Sequence, residues 1–320
     1  MMRVAILDDY QGVALKMADW SVLPTDVKIQ VFTDHLSDEN AVAERLKDFE
    51  IIVAMRERTP FPKTLLERLP RLKLLVTTGT RNASIDMEAA AKLGIVVSGT
   101  GLLIQPTAEL TWGLILALLR NIPYEDQAVR SGHWQLRIGI GLHGKVLGIL
   151  GLGKLGSQVA AFGKAFGMSL LAWSQNLTPE RAAQCGATLV GKEELLSRSD
   201  IVTIHLVLSD RTRGLIGARE LALMKPTAYL INTSRGPIVD EKALIEALEK
   251  GTIAGAALDV FDIEPLPLDH PFRRLKNTVI TPHIGYVTKE TYEVFFRDAV
   301  EDIQAFLAGK PVRVLNAPKA

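Results

Sequence analysis

The run Lys145–Gly156, KVLGILGLGKLG, decides the fold. An apolar segment, Val146 to Leu150, stops at Gly151-Leu152-Gly153-Lys154-Leu155-Gly156, and a helical pattern follows at once. A buried strand that feeds a glycine turn and then a helix is the geometry that holds a dinucleotide pyrophosphate. Gly151 permits the tight turn, Gly153 lets the backbone approach the phosphates, and Gly156 lets the helix pack closely on the strand. The phosphates then meet free N–H groups at the positive end of a helix dipole. Glycine-rich strand turns also arise for packing alone. The strand–turn–helix context favours the cofactor reading.

Composition narrows the remaining classes. A chain of 320 residues has room for two domains, each with its own core. At 48% hydrophobic and 23% charged residues it is an ordinary globular protein. Lys and Arg number 37 against 36 Asp and Glu, so no electrostatic footprint for nucleic acid or an acidic membrane is present. The one cysteine, Cys185, excludes an internal disulfide framework and an all-cysteine metal site. Read as part of a helix after Ala182-Ala183-Gln184, it is inert packing, and no metal site is expected. The N-terminus, MMRVAILDDY, is charged too soon for a signal peptide. The most apolar helix, Leu110–Leu119, is bounded by Glu109 and Arg120 and is too short to span a bilayer. A cytoplasmic protein is expected, with no regulatory domain after the last helix.

Strands and helices alternate almost throughout, which is the pattern of doubly wound parallel sheets. Strands are expected first at Val4–Leu7, Lys28–Phe32, Ile51–Ala54, Leu74–Thr77 and Ile95–Val97. Gln105-Pro106-Thr107 then breaks the chain, and a long apolar helix is expected with Thr107 as its N-cap. A second set follows at Val146–Leu150, Ser169–Ala172, Ala187–Val190, Ile201–His205, Ala228–Asn232, Ala254–Leu258 and Val279–Thr281. The C-terminal stripe of Tyr292, Phe295, Phe296, Ala299, Val300, Ile303, Phe306 and Leu307 has a helical period and needs a surface to cover. Its return to the first domain makes that domain discontinuous. The expected fold is therefore α/β with two doubly wound parallel-sheet domains. A Rossmann dinucleotide domain, residues 107–286, is inserted into a flavodoxin-like substrate domain, residues 1–106 plus 287–320. Hinges near Pro106 and Val287 would let a cleft close and exclude water.

Ligands of open α/β sheets bind beyond the carboxyl ends of the strands. Three polar segments fall there: Asn232-Thr233-Ser234-Arg235-Gly236-Pro237, Asp259-Val260-Phe261-Asp262-Ile263-Glu264-Pro265, and Thr281-Pro282-His283-Ile284-Gly285. They bring an Arg, a Glu and a His to the edge that carries the glycine turn. Hydride transfer to a ketone needs these three types. A protonated imidazole gives a proton to the forming alkoxide, and a carboxylate orients and favours the imidazolium. A guanidinium holds a substrate carboxylate and polarises the carbonyl. Singly, Arg235 reads as well as a strand-end cap, Glu264 as a surface carboxylate and His283 as a satisfied core histidine. Together, beside a dinucleotide turn, they read as catalytic.

At this point the chain resembles the NAD(P)-dependent D-isomer-specific 2-hydroxyacid dehydrogenases, a family that includes phosphoglycerate dehydrogenases and glyoxylate/hydroxypyruvate reductases. The matching segments, in the family's order, are GKVLGILGLGKLG, LINTSRGPIVDEKALIEAL, AALDVFDIEPLP and TPHIGYVT. The resemblance covers essentially the whole chain. It implies an oxidoreductase moving a hydride between NAD(P)H and a small 2-oxo/2-hydroxy acid of D configuration. Arg235 would be the substrate-binding arginine, Glu264 the relay carboxylate and His283 the acid/base. Asp259 would contact the nicotinamide carboxamide, and Thr233, Ser234 and Gly285 would line the cofactor. The segment Asn121–Lys145, with Gly132-His133-Trp134, resembles the family's dimerisation arm and implies a homodimer.

Departures from the family pattern carry their own expectations. Ser174, 18 residues after Gly156, stands where NAD-preferring members place an acidic residue that binds the ribose hydroxyls and repels a 2′-phosphate. NADP is thereby permitted and mildly favoured; no arginine follows immediately to grip the phosphate, although Arg181 is within the next turns. In the loop Gly79-Thr80-Arg81-Asn82 the backbone is expected to hold the substrate carboxylate. Arg81 replaces a common Gly and either reaches a second anionic group or points to solvent. Arg58 is a weaker candidate for the same role. Tyr286 replaces a small residue and either narrows the pocket or fills the hinge. Glu264 argues against formate oxidation, where the family carries Gln. The alternative from another class is a non-catalytic dinucleotide-sensing protein, like the corepressors built on this scaffold.

Overall fold

The computed structural model describes residues 2–317. The chain divides into two compact units, Met1–Leu103 with Val287–Ala320, and Ile104–Tyr286.

In the first unit five strands, β1 (Met2–Ile6), β2 (Val27–Val31), β3 (Ile51–Ala54), β4 (Leu74–Thr77) and β5 (Val96–Gly99), form a parallel sheet in the order β2-β1-β3-β4-β5. The central strand β3 and its neighbour β4 are buried along their whole length. That is why they read as unbroken apolar runs: parallel strands covered on both faces have no solvent side to mark with polar residues. Helices α1 (Glu39–Leu46), α2 (Lys63–Leu66) and α3 (Met87–Lys92) connect them. The carboxylates of Asp38 and Asp86 cap α1 and α3 by accepting the N–H groups of Ala41 and Ala89.

The second unit carries α4 (Gln105–Leu119), α5 (Ile122–Arg130), β6 (Val146–Leu150), α6 (Lys154–Ala165), β7 (Ser169–Trp173), α7 (Pro179–Gln184), β8 (Thr188–Leu189), α8 (Lys192–Arg198) and β9 (Ile201–Ile204). Then follow α9 (Ala218–Leu223), β10 (Tyr229–Asn232), α10 (Glu241–Glu249), β11 (Gly255–Leu258) and β12 (Thr278–Ile280). Its seven strands are parallel, in the order β12-β11-β10-β9-β6-β7-β8. The order reverses between β6 and β9, and at such a switch point loops diverge and leave a crevice. Two doubly wound parallel sheets therefore form, with strand bounds within one or two residues of those read from periodicity.

Two local expectations need correction. Thr107 does not cap α4, because the helix starts two residues earlier and Pro106 occupies its first turn, where no N–H is needed. The Thr107 hydroxyl instead donates to the carbonyl of Gly285 at 3.0 Å. Cys185 stands just past the end of α7, half-buried, with Sγ 3.5 Å from Ser157 Oγ.

The last helix, α11 (Lys289–Leu307), belongs to the first unit and buries Tyr292, Phe295, Phe296, Ala299 and Ile303. Beyond it the chain runs antiparallel to β5, with Gly99 N–H on the Arg313 carbonyl at 3.0 Å and Leu315 N–H on the Val97 carbonyl at 2.7 Å. This covers an edge that would otherwise offer unpaired backbone groups. Arg313 anchors the segment by donating to Asp302 Oδ1 at 2.9 Å, to Glu301 and to the Asp298 carbonyl. Burial pushes the Asp302 carboxyl up to about 7 against the pull of Arg313. The folded state thus holds a proton there that the unfolded chain releases near pH 4, so the stabilisation is full below about pH 4 and is lost as pH rises through about 7. Asp302→Asn is expected to flatten the fall of Tm between about pH 4 and 7; a slope unchanged from the wild type would remove Asp302 as its source.

Candidate active site

In the second unit the carboxyl ends of β6, β7, β9, β10, β11 and β12 open on one edge of the sheet. At the end of β6, Gly151 adopts φ +98°, and a Cβ there would fall 2.5 Å from the His205 carbonyl oxygen. A Cβ on Gly156 would fall 2.0 Å from the carbonyl oxygen of Gly151, so α6 sits against the turn only because this residue has no side chain. At Gly153 a Cβ would meet nothing within 4 Å. The turn is therefore closed by Gly151 and Gly156 and open over Gly153, the shape a pyrophosphate needs, with Lys154 and Leu155 starting the helix behind it. Ser174 follows β7 and is half-buried.

The loop after β10 is tied by Asn232. Its Nδ2 donates to the Arg235 carbonyl at 2.9 Å and its Oδ1 accepts the Ser234 N–H at 3.0 Å. Ser234 Oγ donates to the Ile204 carbonyl, and Thr233 Oγ1 lies 2.9 Å from Thr111 Oγ1. Arg235 is half-buried, with Nη1 donating to the Ser234 carbonyl at 2.7 Å. Gly236 presses this loop on the next one, since a Cβ there would fall 2.2 Å from the Phe261 carbonyl carbon. Larger side chains would part the loops that carry Arg235 and Glu264.

Glu264 is gripped at both oxygens. Oε1 accepts the Phe261 N–H at 2.9 Å, and Oε2 lies 2.6 Å from His283 Nδ1. Buried Asp259 holds the histidine loop, accepting from Thr281 Oγ1 at 2.6 Å, Ile284 N–H at 2.8 Å and Gly285 N–H at 2.8 Å. Burial raises its carboxyl above the ordinary range against the pull of these donors. His283 itself has φ +53°, a left-handed conformation that the loop's bonds on either side impose. The edge of Tyr286 meets the imidazole at 5.7 Å between centroids, so Tyr286 packs on His283. The other histidine at a strand end, His205, is pushed down to about 3 by burial and stays neutral in any working range. Of these two histidines, His283 is the one paired with a carboxylate.

The loop after β4 belongs to the first unit. Gly79, at φ +100°, already donates its N–H to Thr100 Oγ1 at 2.7 Å, and the Arg56 guanidinium covers the face where its Cβ would stand. The N–H groups of Thr80, Arg81 and Asn82 make no hydrogen bond to the described residues. The Asn82 side chain is buried and braces the loop through Arg56 O, Thr77 Oγ1 and Ser84 N–H. Arg81 is exposed. Arg58 donates to the Asp8 carbonyl at 2.8 Å and stacks on the Tyr10 ring, which ties it into its own unit. Sequence reasoning passed over Asn232 and Arg56. For Asn232 the available signal was an amide at the last position of a buried strand, where Asn commonly ties the following loop. Among the described residues no cluster of His, Cys, Asp or Glu fits a metal ion, and no helix is long and apolar enough to cross a membrane.

The family model described as the NAD-binding domain of D-isomer specific 2-hydroxyacid dehydrogenases matches residues 112–285. The chain belongs to this family. It is 46% identical to the glyoxylate reductase of Aeropyrum pernix over 79% of this chain and 78% of that protein. It is 37% identical to the D-3-phosphoglycerate dehydrogenase of Methanocaldococcus jannaschii, over 99% of this chain but 60% of that protein. Among solved structures it is similar to the phosphoglycerate oxidoreductase of Vibrio cholerae, with a TM-score of 0.92, 38% identity and coverage of 97% of this chain and 100% of that one. The chain is accordingly an oxidoreductase of the CH–OH group that uses a nicotinamide dinucleotide and 2-oxo/2-hydroxy acids. Relatives of this kind do not favour the corepressor-like alternative.

Proposed function

We propose that the chain reduces a 2-oxo acid of about the size of glyoxylate or hydroxypyruvate, using NADPH in preference to NADH. The observation that carries the reading is the 2.6 Å contact of His283 Nδ1 with a Glu264 whose other oxygen is already fixed by Phe261. With Nδ1 donating to the carboxylate, the imidazole is oriented and Nε2 is the nitrogen that delivers a proton. Arg235 binds the substrate carboxylate and polarises the adjacent carbonyl as negative charge builds on its oxygen. The open amides of Thr80, Arg81 and Asn82 are assigned to a carboxylate oxygen of the substrate. Bound dinucleotide supplies the hydride. Gly151, Gly153, Gly156 and the first N–H groups of α6 are assigned to its pyrophosphate, and Thr233, Ser234, Asp259 and Gly285 to its nicotinamide end. Asp259 already accepts three hydrogen bonds, so its main task is to fix the loop that presents His283.

Ser174 supports NADPH because no carboxylate stands there to repel a 2′-phosphate. The two units are assigned as a substrate domain, Met1–Leu103 with Val287–Ala320, and a dinucleotide domain, Ile104–Tyr286. Absorbance at 340 nm with both cofactors against glyoxylate, hydroxypyruvate, pyruvate and larger 2-oxo acids tests the reading. Turnover of the small acids is expected, with NADPH preferred and Ser174→Asp shifting preference toward NADH. Turnover confined to bulky acids, or a selectivity unmoved by Ser174→Asp, would contradict it.

A homodimer is part of the same proposal. After α5 the chain extends through Trp134, Leu136 and Ile138, which are 74%, 46% and 98% exposed. Glu125 pins this arm by accepting the N–H groups of Leu136 and Arg137. Apolar side chains held outward on a fixed arm support burial against a second copy. Light scattering is expected to give twice the 35.0 kDa chain mass, and Ile138→Asp with Trp134→Ser to reduce it. A wild-type mass of one chain would refute the dimer.

A further inference from the structure

The loop that follows β7 is flanked by two arginines from different elements. Arg211, in the loop after β9, donates Nη1 to Gln175 Oε1 at 3.4 Å. Arg181, on α7, donates Nη2 to Ser157 Oγ at 3.0 Å and Nη1 to Gln184 Oε1 at 3.5 Å. Ser157 Oγ in turn lies 2.7 Å from the Gly153 carbonyl in the first turn of α6. The Arg181 guanidinium thus stands two hydrogen bonds away from Gly153 of the open glycine turn. Each arginine meets only neutral partners, and among the described residues neither pairs with a carboxylate. Other exposed arginines do pair: Arg130 with Asp126, Arg198 with Glu194, Arg219 with Glu193.

Residues Ser174 to Thr178 contain no acid. Glu180 is engaged elsewhere, held below the usual carboxylate range by its own backbone N–H and the Thr178 hydroxyl. Two guanidinium groups without an ion-pair partner therefore flank the strand end at which dinucleotide folds read the adenosine ribose. A guanidinium gives paired donors to phosphate oxygens, and a neutral hydrogen-bond partner is readily exchanged for a dianion.

We propose that Arg211 and Arg181 are the cationic half of a binding site for the adenosine 2′-phosphate, with the Ser174 hydroxyl as its neutral donor. The proposal rests on the NADPH reading given above and names the residues that would enforce it. In this fold the arginine usually expected directly after β7 would be replaced by one from α7 and one from the loop after β9. The cost is small, because both side chains are exposed and their present partners are single neutral groups.

Titration calorimetry of the full chain with 2′,5′-ADP and with 5′-AMP separates the possibilities without relying on turnover. The wild type is expected to bind 2′,5′-ADP at least about tenfold tighter than 5′-AMP, the size of one charge-assisted contact. Arg211→Gln is expected to erase about tenfold of that advantage and Arg181→Gln about threefold, with 5′-AMP affinity unchanged. Thermal melts matching the wild type would show that the variants remain folded. No preference in the wild type would overturn both the NADPH reading and this assignment. A wild-type preference that both variants keep would overturn the assignment and leave the NADPH reading standing. An equal loss for both nucleotides would also overturn it, because the arginines would then shape the adenosine pocket and not the phosphate site.

Discussion

A buried carboxylate, Asp259, holds the catalytic edge in shape. A charge removed from water costs several kcal/mol unless it is met by donors. Asp259 meets the Thr281 hydroxyl and the N–H groups of Ile284 and Gly285, each bond to a charged acceptor contributing about 1.5–3 kcal/mol. Those bonds bracket His283 and keep it at φ +53°, a conformation that would otherwise cost about 1–2 kcal/mol. Burial still raises the Asp259 carboxyl, so desolvation and the donors remain in competition. Stability is given up locally to present an imidazole in one orientation.

The neighbouring loops are fixed by the same economy of backbone groups. Glu264 is tethered by Phe261 before it touches His283, and Asn232 closes the loop that carries Arg235. Gly236 allows those two loops to touch, much as Gly156 allows α6 to touch the phosphate turn. None of these contacts is itself chemical. Each removes a degree of freedom from a side chain that is, which is how an active site limits the reorganisation needed during reaction.

Much of this was legible in the sequence, for physical reasons that differ by element. The buried strands β3, β4 and β6 were read to the residue, because strands covered on both faces leave an unbroken apolar run. Edge strand β8 shrank to two residues, since an edge pairs on one side only and its apolar pattern is weak. The three polar segments after β10, β11 and β12 were recognisable from their residue types, and the family resemblance implied that Glu264 serves His283; which oxygen meets which nitrogen, Oε2 and Nδ1, left no sequence signal. Thr107 was misread because Pro106 and Thr107 both signal a helix start, and the proline prevailed. Gly79 looked like an anion-binding amide, but its N–H had a nearer acceptor in Thr100, 21 residues away in sequence. Such long-range partners leave no local trace.

The proton assigned to His283 is the central step of the proposed reaction. Single-turnover reduction of glyoxylate by His283→Ala, with NADPH affinity measured on the same preparation, isolates that step. Unchanged cofactor binding with turnover slowed by about 10²- to 10⁴-fold is the expected result. Turnover at the wild-type rate would contradict the account and assign the proton to another group.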